Sequence, residues 1–250
     1  MPKLYNLFIL VVFLHSNIFL GQKKTLQSIR TTEKITIDGL LDEAIWKIAP
    51  IATDFVMINP GNGTPIPNRQ KTDVKIVYDN EAVYVAATLY DDEPSKILKE
   101  LTLRDDFATA DHFGVFFNGY NDGQHEFRFF VSAAGVQQDG LYTDALGEDF
   151  SWDAIWKSEV KITDFGWVVE MKIPYAALRF PNSAVQTWGL NFYREVRRDR
   201  YQYCWNLISN TIQNEATQAG VLEGIENIKT PTRLFFIPYS SFYLNTKKGE

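Results

Sequence analysis

Cysteine is almost absent from this chain of 250 residues, and other metal-binding side chains are scarce. The single cysteine, Cys204, excludes an intrachain disulfide, so stability must come from a large hydrophobic core. Cys204 lies in the aromatic run 201–205, where we expect a packed and unreactive thiol rather than a nucleophile. Only His112 and His125 follow the N-terminal apolar segment, and without a third clear ligand they do not predict a zinc site.

Positive charge is also in deficit, because 25 Lys and Arg stand against 31 Asp and Glu for a formal net charge of −6. This balance excludes nucleic acid as an expected partner and argues against an anionic membrane surface. Long helical periodicity is missing. So are a phosphate-binding P-loop, a dinucleotide fingerprint and a G-x-S-x-G nucleophile motif, which removes support for the enzyme classes that need them.

The N-terminus predicts an exported protein. Lys3 precedes an apolar run at residues 4–14, and a polar segment begins at residues 22–24. This order is typical of a signal peptide, which we place at residues 1–21. A membrane-anchoring helix is the alternative, because the apolar segment approaches the ~20 residues that span a bilayer. The polar residues 15–17 near its centre argue against an anchor. We therefore expect export to the periplasm, the outer membrane or the cell surface.

Most of the remaining chain shows the two-residue alternation of half-buried strands. The alternating segments are 74–78, 83–89, 113–117, 127–131, 167–173, 188–192, 203–207 and 220–224. Many short strands at regular spacing predict an all-β protein, and we expect an antiparallel β-sandwich. Residues 94–101 and 174–180 are each expected to hold one helical turn.

Residues 36–46, Thr-Ile-Asp-Gly-Leu-Leu-Asp-Glu-Ala-Ile-Trp, combine several local signals. Asp38-Gly39 predicts a turn that closes a short β segment at residues 35–37. Asp42 is placed to cap a helical turn, and Trp46 is placed to anchor that turn to a core.

The pattern Ile-Asp-Gly-x-Leu-Asp-Glu-x-x-Trp resembles the opening of family 9 carbohydrate-binding modules. Further segments that are similar to this family are Asp111-x-Phe-x-Val-x-Phe, Phe127-Arg-Phe and the segments 152–156, 166–170, 173–175, 188–192 and 220–224. The combination is most similar to an uncharacterised Gram-negative subfamily. In that subfamily a signal peptide and such a module precede a C-terminal β-barrel of the outer membrane.

The resemblance implies a domain organisation in four parts. Residues 1–21 are the signal peptide, 22–32 a linker and 33–232 the family 9-like β-sandwich. Residues 233–250 begin a C-terminal segment. Its strand-like run either pairs back into the sandwich or is the first strand of a barrel that lies downstream.

The resemblance also implies residues that contact a sugar. Alternation directs Phe127 and Phe129 to the core and Arg128 outward. Arg128 and Asp111 match family positions that serve the ligand. The family holds its ligand between two tryptophans; Phe107 lies where the first is expected, and the second is absent. Trp152 is a candidate substitute.

Each of these residues has a structural alternative. Arg128 can form a salt bridge with Glu126 or Glu195. Asp111 can cap a turn at the start of a strand, and Trp152 can pack a loop onto the core. The sequence leaves these alternatives open.

The function expected from the resemblance is non-catalytic binding of an oligo- or polysaccharide, linked to polysaccharide breakdown. The alternative is a structural domain that packs on an outer-membrane barrel and binds no sugar. A hydrolase acting on O-glycosyl bonds is a third reading, because such chemistry uses two carboxylates and acidic pairs occur at 91/92, 105/106 and 149/153. No cofactor is predicted; Asp-rich loops leave calcium open, although the spacing of an EF-hand is missing.

Overall fold

A computed structural model describes residues 23–231 and Ser241. The predicted signal peptide (1–21) and, apart from Ser241, the predicted C-terminal segment (233–250) lie outside these residues. The strands are β1 (Thr25–Gln27), β2 (Ile29–Arg30), β3 (Ile51–Ala52), β4 (Val56–Asn59), β5 (Thr72–Tyr78), β6 (Ala82–Tyr90), β7 (His112–Asn118), β8 (His125–Ser132), β9 (Gln137–Thr143), β10 (Gly147–Asp149), β11 (Lys157–Thr163), β12 (Gly166–Pro174), β13 (Val185–Val196), β14 (Tyr201–Cys204) and β15 (Gly220–Glu226).

Helical structure is confined to short segments. The α-helix is α1 (Ala44–Ile48), and 3₁₀ turns span Asn68–Gln70, Pro94–Lys96, Tyr175–Ala177 and Ala216–Gln218. The second and third of these turns lie within the two regions where helical turns were expected. Between residues 23 and 231, no helix has the length and apolarity needed to cross a membrane.

The strands form two sheets. The nine-stranded large sheet has the order β1-β15-β13-β7-β8-β9-β10, and β14 and β4 extend it beside β13. The six-stranded small sheet has the order β11-β12-β6-β5-β2, with β3 beside β5. Two pairings at the N-terminus, β1 with β15 and β2 with β5, are parallel. The predicted β-sandwich is confirmed, and it is antiparallel apart from these two additions.

The main core lies between the sheets and follows the predicted alternation. On β7 and β8 the residues Phe113, Val115, Phe117, Phe127, Phe129 and Val131 are buried in it. From the small sheet, β5, β6 and β12 contribute Val74, Ile76, Val83, Val85, Trp167, Val169 and Met171. The outward residues of β7 and β8 are therefore free to form a second surface.

Cys204, at the end of β14, is fully buried in the chain. Burial raises the pKa of its thiol to about 12, although a hydrogen bond from the Ile208 N–H opposes the shift. The thiol is therefore protonated at neutral pH, which is the unreactive state that the sequence predicts.

The Ile-Asp-Gly motif is held on the outer face of the small sheet. The N–H groups of Asp38 and Gly39 donate to the same carboxylate oxygen of Glu170, at 3.1 and 2.9 Å. Gly39 has a φ of +77°, and a Cβ at this position would lie 3.2 Å from the Lys161 Cβ. Trp46 is buried in a small second core with parts of β5 and β6, so its predicted anchoring role is confirmed.

Two local expectations for this region are wrong. Residues 35–37 form no strand; the Thr36 N–H donates to the Glu43 carboxylate at 2.8 Å. Helix α1 begins at Ala44, with Glu43 as its N-cap and no side-chain cap bond, so Asp42 does not cap it. The region is held by side-chain hydrogen bonds rather than by a strand ladder.

The stretch 22–32, predicted as a linker, belongs to the sandwich where the structure describes it. β1 pairs with β15, β2 pairs with β5, and Leu26 lies in the main core. Strands of two and three residues are too short for alternation to show in a sequence. They also pair with β15 and β5, which come later in the sequence, so local sequence does not reveal them.

Candidate functional site

A cleft of about 260 Å³ lies on the outer face of the large sheet, on the side away from the main core. Strands β4, β7, β8, β9, β10, β13 and β14 and three loops contribute to it. The lining residues are the aromatic Phe107, His112, Phe116, Phe130, Phe150 and Tyr193, the polar or charged Asn59, Arg128, Gln138, Glu148, Gln202 and Glu215, and the aliphatic Ile58 and Ile208.

Strand register brings the outward side chains together. Phe116 on β7 lies opposite Arg128 on β8, and Tyr193 on β13 lies opposite Gly114 on β7. Because neighbours on a strand face opposite sides, each outward residue alternates with a core residue such as Phe129. The outward orientation predicted for Arg128 is therefore confirmed.

Two glycines leave room for the aromatic rings of the cleft. A Cβ at Gly114 would lie 2.6 Å from a ring carbon of Phe130. A Cβ at Gly140 would lie 2.9 Å from a ring carbon of Phe150. Real Cβ atoms do not approach carbon so closely, so both rings occupy space that only glycine leaves open.

Stacked rings form one wall of the cleft. The imidazole of His112 lies between Phe107 and Tyr193, with ring centroids 4.6 and 5.5 Å apart. Phe116 and Phe130 meet edge to face at 5.4 Å. Burial lowers the pKa of His112, although Glu195 opposes this shift, so the imidazole is neutral at pH 7. The wall is therefore aromatic and uncharged.

Arg128 is buried beneath the polar side of the cleft and is held by three carboxylates. Its Nε and Nη2 donate to Glu126 at 3.1 and 2.7 Å. Its Nη1 donates to Glu148 at 2.7 Å, and Nη2 also donates to Glu215 at 3.0 Å. Of the two salt-bridge partners considered from the sequence, Glu126 is present and Glu195 is not among these contacts. The hydrogen bonds to these three carboxylates thus use four of the five guanidinium N–H donors of Arg128.

Two aromatic rings lie against the same guanidinium. Its Cζ lies 4.3 Å from the ring centroid of Phe116 and 4.0 Å from that of Tyr142. Burial alone would lower the pKa of Arg128, but the surrounding carboxylates raise it above its ordinary value. Arg128 is therefore charged at neutral pH and held in place by its hydrogen bonds to the carboxylates around it.

Those carboxylates form the accessible polar edge of the cleft. The side chains of Glu148 and Glu215 are 34% and 42% exposed, whereas that of Glu126 is 3% exposed. Glu148 and Glu215 each use one oxygen to accept from Arg128. Their second oxygens accept no hydrogen bond within the described residues, so they are available to a ligand.

The four residues predicted from the sequence occupy two different parts of the fold. Phe107 and Arg128 line the cleft, but Asp111 and Trp152 do not. Asp111 is buried on the inner side, where its carboxylate accepts from the Arg197 N–H at 2.9 Å.

The ring of Trp152 packs against two core rings. The centroid distances are 5.2 Å to Phe127 and 5.9 Å to Phe129. Trp152 thus packs a loop onto the core, as its structural alternative describes.

Sequence reasoning missed several residues of the cleft. Tyr193 had a usable signal, because it alternates with the core residues Leu190 and Phe192 on β13. Phe150, Glu148 and Glu215 follow no such pattern, since they reach the cleft from a three-residue strand and from loops.

A resident metal has little support in the described part of the chain. No group of three or more His, Cys, Asp or Glu side chains there has an arrangement that could hold a metal ion. His112 begins β7 and His125 begins β8, so the antiparallel pairing places them at opposite ends of the hairpin.

The comparison with protein families identifies the class to which this β-sandwich belongs. Residues 37–200 match the family described as "Carbohydrate family 9 binding domain-like", so the chain belongs to this family. No curated protein matches the chain.

Solved structures show the same fold at low sequence identity. A family 9 carbohydrate-binding module from Caldicellulosiruptor kristjanssonii in complex with cellotriose is 15% identical with a TM-score of 0.57, and the match covers 87% of this chain and 100% of that chain. For the complex with glucose the values are 14%, 0.58, 85% and 99%. A proposed carbohydrate-binding protein from Bacteroides uniformis is 11% identical with a TM-score of 0.59, covering 80% and 99%.

Proposed function

We propose that the outer-face cleft binds a saccharide and that the domain does so without catalysis. The observation that carries this proposal is that one cleft combines an aromatic wall with two carboxylates, each with a free acceptor oxygen. Membership of the family supports it, as do the cellotriose and glucose complexes of the structurally similar modules.

The two sides of the cleft suit the two kinds of surface that a sugar presents. The C–H face of a pyranose ring packs on an aromatic ring such as Phe107 or Phe150. The hydroxyl groups donate to Glu148 and Glu215, whose carboxylates accept hydrogen bonds but cannot donate them when ionised. Contact with both sides would orient the sugar across the cleft.

In this proposal Arg128 positions the binding groups. Its N–H donors are mostly used by Glu126, Glu148 and Glu215, and two aromatic rings lie against its guanidinium. Replacing Arg128 would leave carboxylates unpaired, including a buried one, and would lower stability as well as binding. A substitution of Phe107 is therefore a cleaner test.

Isothermal titration calorimetry of the full chain with glucose and cellotriose tests the proposal. Phe107→Ala removes one face of the aromatic wall, and we expect the affinity for cellotriose to fall about fivefold, in line with ~1 kcal/mol for an aromatic contact. Phe165→Ala is the control, because it makes the same substitution at an exposed phenylalanine that follows β11 in the small sheet, away from the cleft.

The control should bind as the unchanged chain does, and circular dichroism should show that both variants are folded. Absence of heat with glucose and cellotriose at millimolar concentration would refute sugar binding at this cleft. An equal loss of affinity in the two variants would refute the contribution of the aromatic wall.

A structural role is the second candidate. The hydrogen bonds around Arg128 favour it, because an arginine whose N–H donors are mostly used within the domain is typical of a fixed scaffold. Under this proposal the domain packs on another domain, such as an outer-membrane barrel, and binds no sugar. The same calorimetry separates the two candidates.

The setting of the domain is part of the proposal. We propose that the chain is exported through its N-terminal leader and serves the breakdown of a polysaccharide. The leader-like sequence of residues 1–21 supports export. Cell fractionation of the full chain, with and without those residues, tests it: a cytoplasmic location for both would contradict export.

A further inference from the structure

We infer that the cleft discriminates between sugars by charge, favouring those with a protonated amine and disfavouring those with a carboxylate. The inference rests on the proposed saccharide binding and concerns which sugars the same cleft accepts. It is carried by the pairing pattern of the charged side chains that line the cleft.

The positive and negative charges of the side chains that line the cleft do not cancel. Among the lining residues of the described chain, Arg128 is the only Lys or Arg, while Glu148 and Glu215 are both accessible. Glu126 lies beneath them, and burial raises the pKa of its carboxyl group. One guanidinium against two exposed carboxylates leaves a net charge of −1, and ionisation of Glu126 makes it more negative.

Neighbouring cations do not offset this charge. The imidazole of His112 is neutral at pH 7, because burial lowers its pKa. Arg197 lies near the cleft but pairs with Glu195 at 2.8 Å, so these two charges cancel. The cleft therefore has a negative potential at its accessible edge.

The free hydrogen-bonding atoms of the cleft point to the same ligands. The second oxygens of Glu148 and Glu215 have no partner in the described residues. The amide groups of Asn59 and Gln138 do not discriminate, since after the described bond each keeps an unused oxygen and one unused N–H. A guanidinium that has used four of its five N–H donors offers little to an anion. A ligand rich in donors is therefore favoured.

An amine and a carboxylate on a sugar meet this surface in opposite ways. An ammonium group donates up to three hydrogen bonds, and those to a carboxylate are charge-assisted. A uronate carboxylate can only accept, and it would lie beside Glu148 and Glu215 with the same sign of charge. A neutral hexose lies between the two cases, because its hydroxyls donate without a charge.

The test compares glucose, 2-amino-2-deoxyglucose and glucuronate by calorimetry with the full chain at low salt. At about pH 6.5 the amine is protonated and the uronate is ionised. We expect the amino sugar to bind roughly threefold to tenfold more tightly than glucose, and glucuronate to bind more weakly than glucose by a similar factor. High salt screens the charges, so the affinities of the amino sugar and of glucuronate should both move closer to that of glucose.

Isosteric variants locate the effect. Glu148→Gln and Glu215→Gln remove charge but keep an acceptor oxygen. The ratio of the affinity for the amino sugar to that for glucose should therefore fall towards one, whatever change the variants cause in the affinity for glucose itself. Glu159→Gln removes the same charge on β11 in the small sheet and should leave the preference unchanged.

The outcomes separate this inference from the proposed function. If all three sugars bind equally, or glucuronate binds best, the charge selectivity is refuted and saccharide binding stands. If the Glu148 and Glu215 variants keep the full preference, the assignment to these carboxylates is refuted. If none of the three sugars binds, this inference is refuted, and the proposed function falls with it only if cellotriose does not bind either.

Discussion

Glu170, on β12, holds the Ile-Asp-Gly motif through hydrogen bonds, and its burial disfavours the ionised form of its carboxyl group. It is fully buried, and one of its oxygens accepts the N–H groups of Asp38 and Gly39. The other oxygen has no hydrogen-bond partner within the described residues. Burial raises the pKa of Glu170 to about 7, although the two backbone N–H groups oppose the shift. The protonated form is therefore the one that the fold favours.

We predict that Glu170→Gln removes a pH dependence of stability. The folded pKa of about 7 lies above the ordinary value of 4.5, so the contribution of Glu170 is full below about 4.5 and is lost as pH rises through about 7. A glutamine stays uncharged, and its oxygen can accept the same two N–H groups. Between about pH 5 and 8 the unfolding free energy of the unchanged chain should fall by about 2 kcal/mol relative to the variant.

Urea unfolding at a series of pH values measures this difference. Asp111 contributes a pH dependence of stability in the same direction, because burial raises its pKa to about 6. Both proteins keep Asp111, so its slope cancels in the comparison. Parallel stability curves for the two proteins would contradict the assignment to Glu170.

At the scale of elements, the N-terminal strands β1 and β2 are the least evident in the sequence and yet tie both sheets together. β1 adds to the edge of the large sheet and β2 to the edge of the small sheet. Between them, the Ser28 N–H donates to the Glu223 carbonyl at 2.8 Å, and Leu26 is buried. Parallel addition at two edges covers backbone groups that would otherwise be exposed.

We predict that this segment contributes measurably to stability. A chain that begins at Thr32 should lose about 2–4 kcal/mol of unfolding free energy relative to one that begins at Lys23. The loss combines the burial of Leu26 with several backbone hydrogen bonds. Urea denaturation followed by circular dichroism measures it. Equal midpoints for the two chains would show that residues 23–31 act as a linker after all.

At the scale of the whole molecule, Arg194 fastens the two sheets to each other from within the core. It projects inward from β13 and is fully buried. Its guanidinium donates to the Gln70 carbonyl at 2.5 Å, to the Thr72 hydroxyl at 2.9 Å and to the Tyr90 carbonyl at 2.8 Å. Burial lowers the pKa of Arg194 to about 10, which still leaves it charged at neutral pH.

We predict that Arg194→Ala costs about 3–5 kcal/mol of unfolding free energy, because buried acceptors of the small sheet lose their donor. Arg69→Ala is the control, since Arg69 is exposed and its ion pair with Asp199 spans 3.4 Å; we expect a loss under about 1 kcal/mol. Chemical denaturation of both variants measures the difference. Similar losses in the two would rule out a fastening role for Arg194.

Alternation made the inner and outer faces of β7 and β8 predictable, because a strand repeats every two residues and needs only local sequence. The same reasoning placed Arg128 outward, and the family resemblance placed Phe107 near the ligand side. Local sequence pattern could not show that Asp111 and Trp152, unlike Arg128 and Phe107, lie outside the cleft. Their positions depend on partners such as Arg197 and Phe127, which come from other strands.

The sequence by itself determined the fold class, the core-facing residues and membership of the sugar-module family, since these follow from periodicity and short motifs. Only the tertiary structure decided that Arg128 is caged by Glu126, Glu148 and Glu215, and that a cleft opens above it. The physical reason is that these carboxylates come from separate strands and a loop. Strand order and register bring them together, and those depend on long-range packing that no local segment encodes.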